Sequence, residues 1–257
     1  MVSPRDVIIH TPEEITRIRR AAQATAWVRD ELAKRIEAGM TTREVDVIAG
    51  CLIGETGGTS TFLGYHGYPG NVCVSVNDVV VHGIGNDQTV IRQGDIVSID
   101  VGVTIDGATG DTARTVPVGR ISPQAAHLLE NTELALMKGI EQAKSGNHIG
   151  DISRAVEQVA IKAKLGVVRD YVGHGCGIEM HEPPEVPNFE SRYRGPMLRP
   201  GMTIAIEPMF NLGTWKVRCE RDQWTVRTCD GKWSAHFEHL VLITETTPEI
   251  LTWPKTM

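Results

Sequence analysis

Ile96 to Pro117 reads I-V-S-I-D-V-G-V-T-I-D-G-A-T-G-D-T-A-R-T-V-P, a strand-like pattern that carries two acidic residues, Asp100 and Asp111, where a core should be apolar. Alternation and β-branched content make Ile96 to Ile105 a strand, and Asp106-Gly107 is the dipeptide that most strongly signals a two-residue hairpin turn. With those two residues in the loop, Ile105 pairs with Ala108, Asp100 faces Ala113, and Asp111 sits one pleat away on the same face. Such diagonal neighbours stand roughly 7–8 Å apart at the backbone, close enough for side chains to converge. Converging carboxylates repel unless one takes up a proton or a cation lies between them, and a divalent metal is the economical answer. The competing reading puts Asp111 in a Gly110-Asp111 turn and leaves Asp100 a solvated strand residue. The rest of the chain decides between them.

The 257 residues, 41% hydrophobic and 23% charged, suit one large α/β domain or two small ones with a substantial core, and the absence of a linker or charge block between halves favours one. A formal net charge of −6 without a long basic run argues against a dedicated nucleic-acid or anionic-membrane surface. Cys51, Cys73, Cys176, Cys219 and Cys229 form no CxxC pair and no even-numbered framework. They read as reduced thiols of a cytosolic protein, and all but Cys73 as buried small hydrophobes. Met1 to His10 has no signal-peptide core, and no window approaches the roughly 18–20 apolar residues that a membrane span needs. A cytoplasmic protein is expected.

Outward from the hairpin the chain alternates helices and strands. Thr11-Pro12-Glu13-Glu14 combines an N-cap, a proline at the first helical position and a capping-box glutamate, and Ile15, Ile18, Ala22, Val28, Leu32 and Ile36 follow at helical spacing up to Gly39. Thr41-Thr42-Arg43-Glu44 opens a second helix through Val45, Ile48 and Leu52. Strands follow at Val72 to Val76, Val79 to His82 and the hairpin. After Gly119 the order restarts: Ser122-Pro123 opens a helix that Gly146 closes, and Asp151 caps another running to Gly166. Strands are expected at Val167 to Val172, Thr203 to Glu207, Trp224 to Thr228 and Phe237 to Ile243.

The repetition extends to letters. Arg92-Gln93-Gly94 before Ile99-Asp100 is matched by Arg199-Pro200-Gly201 before Ile206-Glu207, and His82-Gly83-Ile84-Gly85 by His174-Gly175-Cys176-Gly177. The expected fold class is therefore α+β, a duplicated helix-helix-strands unit with a pseudo-twofold and an antiparallel central sheet covered by helices. Residues 1–257 form a single catalytic domain with halves at about 11–120 and 121–250, bringing Asp100 and Glu207 to one cleft.

Glu207 ends the apolar run Met202 to Ile206, and Glu238 lies between Phe237 and the strand-like Leu240 to Ile243. An ionised carboxylate is too costly to bury unpartnered, so Asp100, Asp111, Glu207 and Glu238 imply shared compensation. Arg114 and Arg218 are too few and too long to supply it. Four carboxylates and a histidine suit two divalent ions such as Mn, Fe, Co or Zn. About 3.5–4 Å apart, such ions share a bridging hydroxide and polarise a bound carbonyl, which is machinery for hydrolysis.

From the first helix to the last strand the chain resembles the type I methionine aminopeptidases, of the pita-bread (creatinase/aminopeptidase) fold. The family's five metal ligands match Asp100, Asp111, His174 in Gly173-His174-Gly175-Cys176-Gly177, Glu207 in Ile206-Glu207-Pro208, and Glu238 in His236-Phe237-Glu238-His239. The resemblance implies that Asp100 chelates one ion, that His174 and Glu207 hold the other, and that Asp111 and Glu238 bridge both. It assigns His82 to the substrate amide, and His181, in Met180-His181-Glu182-Pro183-Pro184, to the scissile carbonyl. Glu207 becomes the proton shuttle, so the catalytic set is His82, His181 and Glu207. His10, His66, His127 and His148 read as structural.

Tyr65, Tyr68, Cys73 and Trp224 match the family's pocket for an unbranched thioether side chain, with His82 and His181 completing the substrate contacts. Phe62 and Met180 depart from the pattern, where a smaller residue and an aromatic are usual. Asn77, Val79 and Ser234 match a sodium or potassium site of some relatives. The expected activity is removal of initiator methionine from nascent chains with a small second residue, by attack of a metal-bridging hydroxide on the scissile carbonyl. The resemblance also implies transient approach to the ribosome; a monomer is the default. Two rivals remain. A proline-directed peptidase of this fold would carry an additional N-terminal domain, and a non-catalytic pita-bread binding protein would have lost ligands that are all present here.

Overall fold

The hairpin forms in the register that its turn dictates. Asp106 and Gly107 adopt φ of 51° and 68°, as a two-residue primed turn requires. Strands Ile96–Ile105 and Ala108–Pro117 pair with Ile105 opposite Ala108, Asp100 opposite Ala113 and Gly102 opposite Asp111. The computed structural model describes residues 7–253; the reading of Met1 to Asp6 as free of a signal sequence lies outside the described residues.

Four helices follow their caps. In α1 (Pro12–Arg35) and α2 (Thr42–Glu55) the N-cap threonines, Thr11 and Thr41, accept from the backbone of Glu14 and Glu44, whose carboxylates accept in return from the threonine N–H groups. Each box satisfies two orphan donors, and an N-cap of this kind stabilises by about 1 kcal/mol. Ser122 caps α3 (Pro123–Gln142). The fourth, α4 (Ile149–Ala163), begins before Asp151, which is not the cap but the third helical residue, its carboxylate accepting from His148 N at 2.9 Å. No helix among the described residues is long and apolar enough to cross a membrane.

The expected central antiparallel layer is divided rather than continuous. In the first half Ile96–Ile105 lies between Ala108–Pro117 on one edge and Thr59–Ser60 with Cys73–Val76 on the other. In the second, a five-stranded sheet runs Glu249–Ile250, His239–Leu242, Thr203–Ile206, Gly173–Gly175, Glu182–Val186. Two three-stranded sheets complete the set, Ser234–His236 with Met209–Asn211 and Gly166–Val167, and Val217–Cys219 with Val226–Thr228 and Val79–Val81. Apart from the ladder of Val79–Val81 with Val226–Thr228, the halves join through single bonds: Glu238 N donates to Ala113 O, Thr112 Oγ1 to Glu238 O, and Thr115 Oγ1 to His236 O. Those bonds set Glu238 beside Asp111.

The duplication is visible bond by bond. Gly39 N donates to Ile91 O and Gly146 N to Leu198 O; isolated bridges join Thr41 to Val90 and His148 to Met197. These equivalent residues are separated by one constant step, which also carries Asp100 onto Glu207 but does not extend to the strands before Asp95. It does not carry His82 onto His174. Val76 opposes Val97 and Gly175 opposes Ile204, so His174 corresponds to Ser75, whereas His82 follows a strand of a different sheet. The shared His-Gly-x-Gly lettering is coincidental.

Each half has its own core: Leu32, Leu52, Val97, Ile99 and Val103 under α1 and α2, and Leu128, Leu136, Ile152, Ile204 and Phe210 under α3 and α4. Fully burying such side chains stabilises by about 1.5–3 kcal/mol apiece, which fixes in place the strands that carry polar residues on their inner face. Gly110 lets α1 sit directly behind the site, since a Cβ there would lie 2.5 Å from Ala22 Cα. Two further expectations fail, and one strand is unforeseen. The strand expected over Val167 to Val172 shrinks to Gly166–Val167; its last bond in register runs from Val168 N to Met209 O, after which Tyr171 and Val172 line the site. Glu182–Val186, with two prolines, is a strand at the sheet edge, where missing N–H groups cost no ladder bond. Cys51, Cys219 and Cys229 are exposed rather than buried, unlike Cys73 and Cys176.

Candidate metal centre

All five predicted ligands face one cavity of about 530 Å³. Ligand atoms of Asp111, His174 and Glu238 lie within 4.8 Å of one another. His174 Nε2 is 3.9 Å from Asp111 Oδ2 and 3.5 Å from Glu207 Oε1. Asp100 and Glu207 line the same cavity outside that tight trio, an arrangement too broad for a single ion to touch every donor. The solvated-turn alternative for Asp111 is excluded, as the residue is 4% exposed within a regular ladder.

These side chains fit divalent metal. Asp100 Oδ1, Asp111 Oδ1 and Glu238 Oε1 are buried with no hydrogen-bond partner among the described residues, which no charged acceptor tolerates without a cation. Their titration says the same. Burial first, then the charge of Glu207, pushes Asp100 up to about 7 against the opposing effect of His236. Burial first holds Asp111 and Glu238 well above the usual carboxylate range, helped at Asp111 by the charges of Asp100 and Glu207 and at Glu238 by those of Asp111, Glu207 and Asp100. Glu207 moves the other way: burial raises it, but His236 Nε2 at 3.3 Å and the nearby His174 leave it below its ordinary value. Arg114 and Arg218 stay out on the surface as expected.

The predicted histidines also reach the cavity. His181 Nδ1 is 2.8 Å from Tyr65 Oη, and its ring centroid is 4.3 Å from that of His174. His82 packs edge-on against Tyr171 and Trp224 at 5.5 and 6.2 Å. Burial holds both down to about 4, with His174 contributing at His181, so both are neutral imidazoles at pH 7.

Beside them Phe62, Tyr68, Cys73 and Met180 form a buried cluster flanked by Tyr65, Ile84 and Trp224. Cys73 pairs with Asp100 in the ladder, and burial first, then Asp100, pushes its thiol up, so it stays protonated and apolar. Phe62 has room because Gly102, opposite Asp111, has no side chain; a Cβ there would lie 2.7 Å from the Phe62 ring. Of the residues matched to a monovalent cation, Asn77 O accepts from Ser234 N at 2.9 Å, and Val79 opens the neighbouring strand.

Four contributors escaped sequence reasoning. His236, two residues before Glu238, touches Glu207. Asn188, 1% exposed, donates to Glu207 O at 3.0 Å. Arg29, 4% exposed, donates to Thr112 Oγ1 at 2.8 Å, and that hydroxyl holds Glu238 O. Asp46 on α2 accepts from Asn71 N and Val72 N at 2.6 and 3.1 Å and so anchors the loop of Tyr65 and Tyr68. Only Arg29 left a sequence signal, a charge amid the apolar positions of an amphipathic helix.

Comparison with known proteins agrees with this geometry. A family model described as metallopeptidase family M24 matches residues 16–245. The methionine aminopeptidase 1 of Bacillus subtilis (strain 168) is 46% identical over 246 residues, covering 96% of this chain and 99% of that protein. Among solved structures, the methionine aminopeptidase of Thermotoga maritima is similar with a TM-score of 0.94 and 41% identity, covering 96% of this chain and 99% of that one. The prolidase of Pyrococcus furiosus is similar with a TM-score of 0.77 and 25% identity, over 97% of this chain but 66% of that one.

Proposed function

This chain belongs to metallopeptidase family M24 and is a metal-dependent aminopeptidase of the pita-bread fold, like its methionine aminopeptidase relatives, and we propose that it removes initiator methionine from nascent chains whose second residue is small. The observation that supports this best is the sharing of one cavity by the five metal-ligating side chains and an aromatic, thiol-lined pocket. In this reading residues 1–257 form one catalytic domain, working as a cytoplasmic monomer in transient approach to the ribosome.

Asp100 would hold one divalent ion, His174 and Glu207 a second, and Asp111 and Glu238 both; Mn, Fe, Co or Zn suits this oxygen-rich set with one imidazole. Bound there, the ions supply a water of lowered pKa and polarisation of the scissile carbonyl. Asn77, Val79 and Ser234 would take a monovalent cation through the loop before Val79.

The chain's own groups do the rest. The methionine side chain enters among Tyr65, Tyr68, Cys73 and Trp224, with Phe62 and Met180 closing the slot; polarizable walls suit its sulfur. With the Tyr65 phenol donating to Nδ1, His181 keeps its proton on Nε2, where it donates to the scissile carbonyl oxygen as negative charge develops. His82, equally neutral, hydrogen-bonds the substrate amide. Glu207, kept ionised by its imidazole neighbours, takes a proton from water at its carboxylate and returns it to the departing amine. Replacing His181 with Ala therefore lowers kcat by about 10²–10³-fold, the usual loss for one oxyanion donor, with metal content unchanged. A kcat within threefold of the parent would contradict this role.

The proline-directed reading draws on the prolidase likeness, but this chain spans 66% of that chain and nearly all of the methionine aminopeptidase relatives. Hydrolysis of Met-Ala-Ser, Met-Leu-Ser and Ala-Pro-Ser across added Mn, Co, Fe and Zn separates the two. Release from the first alone is expected. Preferential release from Ala-Pro-Ser would overturn the assignment, and no release with any metal would favour the non-catalytic rival.

A further inference from the structure

Among the described residues lining the catalytic cavity, only His181 and Glu185 are exposed, so the two mark its mouth. His181 is placed above at the scissile carbonyl. Glu185 has no assigned task. It lies on Glu182–Val186 directly opposite His174, and opposed residues of an antiparallel pair present their side chains to one face, so its carboxylate stands beside a metal ligand on the cavity side.

The other carboxylates of the wall are all accounted for. Asp100, Asp111, Glu207 and Glu238 would be offset by the divalent ions assigned to them, and Glu182 is taken up by His10 Nε2 at 3.1 Å and by the N–H groups of Ile178 and Glu179. Glu185 has no hydrogen bond or ion pair among the described residues, and no lysine or arginine lines the cavity. The negative charge at the mouth is thus uncompensated. A peptide whose methionine side chain fills the inner slot must leave past this point, with the residues that follow the scissile bond nearest Glu185.

We propose that Glu185 is a specificity-determining residue that favours substrates carrying lysine or arginine shortly after the scissile bond and disfavours aspartate and glutamate there. The proposal rests on the aminopeptidase reading and adds a charge preference to it. A partly exposed pair is worth little singly, but attraction to lysine and repulsion of glutamate act together, giving a ratio of roughly 3–10-fold. Screening shortens from about 30 Å at 0.01 M salt to about 8 Å at 0.15 M, so the ratio shrinks as salt rises.

The test is kcat/KM for Met-Ala-Lys, Met-Ala-Ser and Met-Ala-Glu amides at 0.01 and 0.15 M salt, with the metal-loaded parent, Glu185→Gln and Glu185→Lys. The parent is expected to rank them Lys over Ser over Glu, more steeply at low salt; Glu185→Gln flattens the series and Glu185→Lys inverts it. Equal rates for all three in the parent, or an unchanged ranking in Glu185→Gln, overturns the proposal while leaving the aminopeptidase assignment intact. Turnover of none of the three removes both.

Discussion

Replacing Asp111 with Asn lowers kcat/KM by roughly 10³-fold or more, about 4 kcal/mol of transition-state stabilisation, and lowers bound metal with it. Asp111 is 4% exposed, its Oδ1 has no protein partner, and its ligand atom is grouped with those of His174 and Glu238. Asparagine preserves shape but removes a charge and brings an amide donor to a place where only acceptors are useful. The contacts that carry the fold here belong to its neighbours, the Thr112 hydroxyl and the Ala113 carbonyl, so the variant should fold. Steady-state hydrolysis of Met-Ala-Ser beside metal analysis of the same sample checks the claim. Near-parental turnover with stoichiometric metal would refute the bridging role.

Removing metal destabilises the protein, and more at pH 8 than at pH 6. An ion present at a thousandfold its Kd stabilises by about 4 kcal/mol, which for a chain of this size corresponds to roughly 8–16 °C in Tm. Without it, protons must neutralise the cluster. Folding raises Asp100 from its ordinary 3.8 to about 7. Between those values the folded chain holds a proton that the unfolded chain has released, so metal-free stability falls as pH climbs through that window. Asp111 and Glu238, also raised by burial, add to the fall in the same direction. Chelated samples melted at pH 6 and pH 8 should therefore differ from metal-loaded ones by more at pH 8. A Tm unmoved by verified metal removal at both values would mean that the carboxylates are compensated otherwise.

Where local chemistry decided structure, the sequence was legible. The Asp106-Gly107 turn set the hairpin register, which put Asp100 and Asp111 on one face, and the threonine-glutamate boxes placed the starts of α1 and α2 to the residue. The metal-site residues stood out because carboxylates in apolar strands are expensive. Where position depended on pairing between segments distant in the chain, sequence failed. His236 and Asn188 matter only because Glu207 arrives beside them. Glu185 reads as an ordinary polar residue after two prolines until the ladder sets it across from His174. The false equivalence of His82 and His174 came from matching letters across elements that pair in different sheets.

The most direct measurement is an anomalous difference map from crystals of the full chain grown with manganese, phased without reference to the metal. The account predicts two peaks in the cavity, one reached by Asp100, the other by His174 and Glu207, and both by Asp111 and Glu238. Manganese bound elsewhere on the molecule, with these five side chains left uncoordinated, would contradict it.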